Sequence, residues 1–348
     1  MTSPPFITVL ITAHDRRDFI FDAIKSVISQ DFPRDKYEII LVKYQIDNEE
    51  EIDRKLESMK IRVINTNEKS LGAKIALGAE EAKGEIIAFL EDDDLFLDGK
   101  LNRIYEVFKD NEIGFYHNEM RFVNINNEEI KGETNFRKRM ISRFNIYFKN
   151  DLMIKDVSFW EKIPQLSTSI FAFNNSSISI RRNVICNFRK VYKLSKYNYS
   201  IDHIHFLLSL EYGYKNAVDK KTFTNYRVHS SSTMNKKAQS INEYFEYALH
   251  ITENQLYNLE LIEKFYKVEK INKLLNLIKE CIYLSMLNEE DFLGVKTDIR
   301  KKISIILNLI SKSMDYFYSP GQFLSYLYIL APFSIRKYIF EKYIIKKI

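Results

Sequence analysis

The sequence predicts an α/β protein with a mostly parallel β-sheet covered by helices, followed by a helical C-terminal region. In the first third, short runs of β-branched and other apolar residues alternate with segments whose apolar residues recur at helical spacing. Glycine and proline are scarce (9 and 6 of 348 residues) whereas Phe and Tyr are abundant (25 and 22), which is typical of long regular elements with short connections. Such alternation places parallel strands between two layers of helices.

The first four predicted strands are separated by helical patterns, and the first, second and fourth are expected to be buried. They are ITVLITAH (7–14), YEIILVK (37–43), IRVINT (61–66) and EIIAFLE (85–91). The helices expected between them cover 19–28, 49–59 and 70–82. A helix over Lys100–Phe108 and a strand over 113–124 follow. These elements predict two or more β–α–β units.

The remainder of the chain is less regular at first and then helical. Residues 130–165 are irregular and basic and contain Trp160, the only tryptophan. Residues 176–185 predict a strand followed by a helix, and 200–213 predict a helix with Asp202 near its start. After about residue 235 the pattern becomes long helices, which we interpret as a helical C-terminal region.

Composition excludes several classes of function. A net charge of +5 over 348 residues is too small for a nucleic-acid-binding surface, so no nucleic-acid partner is expected. Two distant cysteines, Cys186 and Cys281, give neither a disulfide framework nor a zinc site, and a reducing cytoplasm is the expected location. No signal peptide and no apolar run of bilayer-spanning length are expected.

Four consecutive carboxylates, Glu91, Asp92, Asp93 and Asp94, follow the fourth predicted strand. In doubly wound sheets, ligands bind outside the carboxyl ends of the strands. Neighbouring carboxylates suit Mg²⁺ or Mn²⁺, which commonly bridge protein acids to substrate phosphates. The run is therefore either a solvated turn or a divalent-cation site, and its position favours the cation.

The order of motifs resembles the inverting glycosyltransferases of family 2, which have the GT-A fold with a Rossmann-like sheet. ITAHDRRDFIFDAIKSVISQDFP resembles the family's first strand, turn and helix, and LGAKIALGAEEAKGEIIAFLEDDD resembles its Gly-Ala-Lys helix and Asp-x-Asp metal motif. The resemblance covers most of residues 6–234. It implies a nucleotide-sugar-binding half at 1–115 and an acceptor-binding and catalytic half at 116–235, before the helical region at 236–348.

Position by position, the resemblance implies a donor site with a metal. Asp93 is the expected direct metal ligand, with Asp92 or Glu91 near the ribose or a metal-bound water. Glu91 stands where the family usually has Asp. Asp94 is expected to support the site or to cap the next helix.

On the nucleotide side, the resemblance places Thr12 and His14 near the base and Lys74 near the diphosphate. Lys74 could equally be a solvated helix charge. Lys43 and Tyr44 replace the paired aspartates that usually end the second strand in this family. The pocket for the nucleotide base is therefore expected to differ from that of the family at Lys43.

On the catalytic side, SIDHIHFLL resembles the family's base-bearing helix start and NYRVHSSSTM its Tyr-Arg-x-His segment. Asp202 is therefore the expected catalytic base, although it could merely cap its helix. Ile201 replaces the usual first acid. His229 is the expected additional metal or diphosphate ligand, and Arg227 is expected to pair with a carboxylate.

The predicted function is metal-dependent, inverting transfer of a sugar from a nucleotide-sugar donor to a glycan or lipid-linked acceptor. The alternatives are a nucleotidyl- or phosphotransferase, which would not need Asp202, and a catalytically idle glycan- or nucleotide-binding relative. The acceptor is expected to contact aromatic and basic residues around Phe136–Phe144 and Trp160. The basic tail from 331 to 348 would allow peripheral contact with the inner face of a membrane, or would simply pack on the protein.

Overall fold

The fold contains one nine-stranded sheet, seen here in a computed structural model that describes residues 4–14, 17–46, 49–130, 150–164, 171–195, 201–229, 240–312 and 326–344. The strands are β1 (Ile7–Ala13), β2 (Tyr37–Tyr44), β3 (Arg62–Thr66), β4 (Ile86–Glu91), β5 (Leu95–Phe96), β6 (Ile113–Val123), β7 (Leu152–Lys155), β8 (Ile178–Arg181) and β9 (Lys215–Arg227). Their spatial order is β3-β2-β1-β4-β8-β6-β9-β5, and β7 pairs with β9.

Helices connect the strands and form the end of the chain. In the first half they are α1 (Ile20–Ile28), α2 (Glu50–Ser58), α3 (Leu71–Glu81) and α4 (Lys100–Phe108). In the second half they are α5 (Val157–Trp160), α6 (Arg182–Asn187), α7 (Arg189–Leu194) and α8 (Ile201–Tyr212). The C-terminal helices are α9 (Ile241–Phe265), α10 (Asn272–Phe292), α11 (Ile299–Lys312) and α12 (Phe333–Ile339).

Strand direction brings several chain segments to one edge of the sheet. β1 pairs in parallel with β2 and β4, β2 with β3, and β6 with β9. β8 lies antiparallel between β4 and β6, while β5 and β7 are antiparallel to β9. Six of the nine strands therefore run in one direction, and the carboxyl ends of β1, β2, β4 and β9 lie at the same edge. The predicted mostly parallel α/β sheet is confirmed.

Strands β1, β2 and β4 are buried on both faces of the sheet, which explains their continuous apolar runs. Along β1, Leu10 joins one apolar cluster and Val9 and Ile11 join the other. Helix α3 packs closely on the first of these faces at Gly78. A Cβ atom at Gly78 would lie only 2.2 Å from Leu10 Cδ1, so a side chain there would displace the helix or Leu10.

The C-terminal helices pack on the second half of the sheet domain. Leu259 and Ile262 of α9 and Leu274 and Ile278 of α10 belong to the same core cluster as the α8 residues. Separate clusters join α10 to α11 and link Phe245, Phe292 and Phe340. The predicted helical C-terminal region is confirmed, and no helix in the described part of the chain is both long and apolar enough to span a bilayer.

Some elements lacked a sequence signal. Strand β5 has two residues, and β7 and α5 lie in the segment predicted to be irregular. The first part of β9, KNAVDKK, contains several charged residues. One of them, Asp219, is fully buried; it pairs with Arg103 at 2.6 Å and accepts a hydrogen bond from the Tyr116 hydroxyl. Because a charged residue with a buried partner occupies an inward position, this part of β9 lacks the alternation of apolar and polar residues by which strands are recognised.

Candidate active site

The acidic run forms a compact cluster at the carboxyl end of β4. Glu91 is the last residue of β4, and Asp92, Asp93 and Asp94 form the turn into β5; all three aspartates are buried. Carboxylate oxygens of Glu91, Asp93 and Asp94 lie within 4.8 Å of one another. The run is therefore not a solvated turn.

The end of β9 contributes a histidine to this cluster. His229 Nε2 lies 2.9 Å from Asp93 Oδ2, and both residues are buried. The His229 ring also packs against Phe19, with the ring centroids 5.5 Å apart. Asp93 and His229, separated by 136 residues, meet because β4 and β9 end at the same edge of the sheet.

Asp94 supports the cluster from within the protein. Its Oδ1 accepts a hydrogen bond from the Arg227 backbone N–H at 2.9 Å. Burial, and then the Asp93 carboxylate, raise the pKa of Asp94 to about 8, while Ser176, the Arg227 N–H and Lys100 act in the opposite direction. Burial and the neighbouring acids likewise raise the pKa of Glu91 well above its usual value. This geometry concentrates negative charge that a divalent cation would neutralise.

Asp202 lies beside the acidic cluster, in the first turn of α8. Its Oδ1 accepts from the His203 backbone N–H at 3.0 Å, and the Asn174 N–H also donates to this carboxylate. Burial raises the pKa of Asp202 to about 7 despite these hydrogen bonds. The Asp202 charge contributes to the raised pKa of Glu91, so the two carboxyl groups share one electrostatic environment.

A short turn before β8 connects the cluster with Asp202. Ser176 Oγ accepts the Glu91 backbone N–H at 2.9 Å and also bonds to Asp94. Asn174 has φ of +69°, in the left-handed region that Asn tolerates better than most residues, and its N–H reaches Asp202. Residues 174–176 therefore fix the relative positions of the two groups of acids, and no sequence signal identified them.

Lys100 is a fully buried lysine whose charge acts on Asp94. Its ammonium donates to the Ser176 carbonyl oxygen and, at 2.9 Å, to Thr224 Oγ1. Burial lowers the pKa of Lys100 well below its usual value, and Asp94 partly offsets this effect. The sequence contained one indication that Lys100 is buried, because it lies on the same side of α4 as the apolar residues Leu101, Ile104 and Phe108.

The predicted nucleotide-side residues cluster at the ends of β1 and α3. Thr12 pairs with Glu91 in the β1–β4 register. Lys74 is buried, which excludes a solvated helix charge; its Nζ donates to the Ala13 carbonyl at 2.9 Å and lies 3.2 Å from His14 Nδ1. Because an ammonium group only donates, His14 Nδ1 accepts here. The structure thus brings Thr12, His14 and Lys74 to the same edge as the acidic cluster.

Lys43 lies at this edge in a buried ion-pair network. Its Nζ is 2.5 Å from Glu49 and 3.1 Å from Asp53. Arg17 pairs with the other oxygen of Glu49 at 2.7 Å and donates to the Tyr44 carbonyl oxygen at 2.8 Å. The network joins the ends of β1 and β2, and its members Arg17 and Glu49 were not anticipated.

Several other residues named in the sequence analysis lie in the core or make contacts that stabilise the fold. Trp160 is fully buried among aromatic rings, so it forms part of the core. His205 is buried, stacks on Phe89 and lies 2.9 Å from the Tyr192 hydroxyl. Arg227 lies over the Phe19 ring and, as predicted, pairs with a carboxylate, Asp22, at 3.5 Å. Residues 136–144, predicted to contact the acceptor, lie outside the described residues.

The donor set fits a divalent cation of the Mg²⁺ or Mn²⁺ type. Its ligand atoms are carboxylate oxygens with one imidazole nearby, and both hard cations favour oxygen ligands. Burial, and then the neighbouring carboxylates, raise the pKa of Glu91 and of Asp94, and a bound cation would favour their ionised forms.

Comparison with known proteins gives a family and a fold. The family model described as "Glycosyl transferase family 2" matches residues 8–194, more than half of the chain. A search of curated protein sequences finds no match.

Solved glycosyltransferases share the fold. S. aureus TarS residues 1–349, crystallised with UDP-GlcNAc, superposes with a TM-score of 0.53 at 14% identity over 95% of this chain and 91% of that one. The mannosyltransferase PcManGT from Pyrobaculum calidifontis, with GDP-Man and Mn²⁺, gives 0.53 at 12% identity over 98% and 89%. This chain covers 49% of a longer TarS chain, with a TM-score of 0.51 at 13% identity. The likeness shows that the architecture is the GT-A fold.

Proposed function

This chain belongs to glycosyl transferase family 2 and is a glycosyltransferase, and we propose that it catalyses metal-dependent, inverting transfer of a sugar from a nucleotide-sugar donor to a hydroxyl of a glycan or lipid-linked acceptor. One observation carries the proposal. The turn at residues 174–176 joins the acids at the end of β4 to Asp202, because Ser176 Oγ accepts the Glu91 N–H at 2.9 Å and the Asn174 N–H donates to the Asp202 carboxylate. A cation-binding donor site and a base for the acceptor are thereby adjacent.

We assign the donor to the edge formed by β1, β2 and β4. Thr12 and His14 face the base, Lys74 lies near the diphosphate, and Glu91 and Asp92 bind the ribose or metal-bound water. Lys43 shapes the base pocket by fixing Glu49, to which it is ion-paired at 2.5 Å. The donors bound by the two structural relatives, UDP-GlcNAc and GDP-Man, are both nucleoside-diphosphate sugars. This class of donor is the one we propose here.

Asp93 and His229 would hold the metal, supported by Glu91 and Asp94. When bound, Mg²⁺ or Mn²⁺ would act as a Lewis acid that neutralises charge on the departing nucleoside diphosphate. Ser176 holds Asp94 in place by a hydrogen bond to its carboxylate, and Lys100 in turn donates to the Ser176 carbonyl oxygen.

Asp202 is proposed to be the catalytic base. Its ionised carboxylate accepts the proton of the acceptor hydroxyl as that oxygen attacks the anomeric carbon and the nucleoside diphosphate leaves from the opposite face. The pKa of about 7 places this base close to the pH at which general bases work best. The hydrogen bonds from His203 and Asn174 orient the carboxylate.

The experiment is release of nucleoside diphosphate from a panel of sugar nucleotides with Mn²⁺. We expect Asp202→Asn to lower turnover by roughly 10²–10⁴-fold while donor binding, measured by calorimetry, is retained. Asp93→Ala should weaken both Mn²⁺ binding and turnover. Asp98→Asn, at an exposed carboxylate nearby, is the matched control and should behave as wild type.

Two outcomes would refute the proposal. If Asp202→Asn turns over normally, a nucleotidyl- or phosphotransferase is the better interpretation. If the wild-type protein binds a sugar nucleotide but no tested acceptor or water releases the diphosphate, an idle binding relative is supported instead.

A further inference from the structure

Exposed apolar side chains are concentrated near the end of the chain, far in sequence from the active site. Among the described residues, fifteen large apolar side chains are exposed, and seven of them are spread between residues 28 and 283. The other eight lie between residues 295 and 338. Such clustering on a water-exposed surface marks an interaction site more often than chance exposure does.

The apolar side of helix α11 is buried along one edge and exposed along the other. Its inner edge buries Ile306 and Leu309 against α10. Its outer edge presents Ile299, Ile303 and Leu307, which are 48%, 41% and 59% exposed. These three residues recur every four positions, so they form one stripe along the helix. The helix is therefore apolar along an edge that no described part of the chain covers.

A cleft continues this stripe onto the start of α12. Ile299 and Phe333 line the same cleft, and Phe333 is 44% exposed. Asp291 at the base of the cleft pairs with Lys302 of α11 and, at 2.5 Å, with Arg336 of α12. The buried ion pairs fix the two helices relative to each other. We call Ile299, Ile303, Leu307 and Phe333 the C-terminal apolar surface.

Basic side chains adjoin this surface, since Lys296 lines the cleft with Phe333, and Arg300, seven residues before Leu307, lies on the same side of α11. In residues 295–312 and 326–342, six basic side chains and two acidic side chains are exposed. The basic ones are Lys296, Arg300, Lys301, Lys312, Lys337 and Lys342, and the acidic ones are Asp298 and Glu341. An apolar stripe with a basic margin is complementary to a bilayer that contains anionic lipids.

We propose that the C-terminal apolar surface docks this protein on the surface of an anionic lipid bilayer. A symmetric dimer through the same surface would place the basic margins of two copies against each other, which costs free energy. We propose contact with the bilayer surface and not a bilayer-spanning helix, because no helix in the described residues is long and apolar enough to cross a membrane. The proposal goes beyond glycosyl transfer and does not depend on it.

The test is flotation of the full-length protein with vesicles of phosphatidylcholine alone and of phosphatidylcholine with phosphatidylglycerol. We expect binding only to the anionic vesicles, and weaker binding as the salt concentration rises. Leu307→Asp should lower the binding constant roughly tenfold or more, because an apolar anchor is lost. Arg300→Gln should lower it roughly fivefold, because Arg300 lies on the same side of α11 as Leu307.

Leu194→Asp is the matched control, since Leu194 is 44% exposed on α7, outside the C-terminal helices. It should bind like wild type, and melting curves should show that every variant is folded. Absence of wild-type binding, equal binding to both vesicle types, or unchanged binding by Leu307→Asp would overturn the proposal. A wild-type dimer in light scattering that Leu307→Asp dissociates, without vesicle binding, would assign the surface to a second copy of the chain. Because no substrate is used, none of these outcomes bears on glycosyl transfer.

Discussion

Without a divalent cation, raising the pH should destabilise this protein, because buried carboxyl groups bind protons more tightly in the folded state. Burial and Asp93 raise the pKa of Asp94 to about 8, and burial raises that of Asp202 to about 7, from an unfolded value of 3.8. Between pH 4 and pH 8 the folded chain therefore retains protons that the unfolded chain has lost. Each increase in pH in this range favours unfolding, and the loss is complete above pH 8.

The expected effect is large compared with the stability of a typical domain. For Asp94, the difference between 3.8 and about 8 corresponds to at most about 6 kcal/mol, at 1.36 kcal/mol per pKa unit. Domains are typically stable by only about 5–15 kcal/mol. A cation at 100 times its dissociation constant would restore about 2.7 kcal/mol. At roughly 2 °C per kcal/mol for a large domain, the melting temperature would rise by about 5 °C.

The assay is thermal unfolding followed by circular dichroism, at pH 5 and pH 8, with chelator or with Mn²⁺. Chelated protein should melt lower at pH 8, and Mn²⁺ should raise the melting temperature more at pH 8 than at pH 5, where protons compete for the carboxylates. Asp94→Asn keeps the acceptor for the Arg227 N–H and should raise the pH 8 melting temperature in chelator. Asp98→Asn should not. Equal melting temperatures at both pH values in chelator, or identical behaviour of the two variants, would refute the reasoning.

Two further predictions concern how the site and the sheet are built. Ser176→Ala should lower the free energy of unfolding by about 1–3 kcal/mol in urea titrations, because the Glu91 N–H loses its acceptor. Ser179→Ala, at a buried hydroxyl with no hydrogen-bond partner among the described residues, is the control and should be nearly neutral; equal losses would contradict the role of Ser176. Gly78→Ala should cost about 1–3 kcal/mol, since its Cβ would lie 2.2 Å from Leu10 Cδ1, and an unchanged urea midpoint would show that α3 shifts freely.

The first half of the fold could be predicted largely because β1, β2 and β4 are buried on both faces. Ile7–Ala13 and Ile86–Glu91 are short apolar runs, and helices of strong amphipathic pattern separate them. The first residues of β9 could not be recognised as a strand, because they include the charged Asp219. This residue can be buried only because Arg103 of α4 pairs with it. A sequence pattern does not record a polar partner that lies 116 residues away.

For the candidate site, the residues that carry chemistry were recognisable and the residues that position them were not. Asp93, Asp202 and His229 have motif neighbours along the chain, and the structure brings His229 to Asp93 and Asp202 to the neighbourhood of Glu91. Ser176 has no local signal. Its role depends on a turn that crosses beneath the end of β4.

The alternation of strands and helices, the acidic run at a strand end and the helical C-terminal region could all be recognised before the fold was known, because each follows from the local spacing of apolar and charged residues. Which side chains meet depends instead on how the chain packs. The packing pairs Lys43 with Glu49, and it brings Lys100 to the Ser176 carbonyl beside Asp94. Pairings of this kind follow from strand order and direction, which bring together side chains that local sequence leaves far apart.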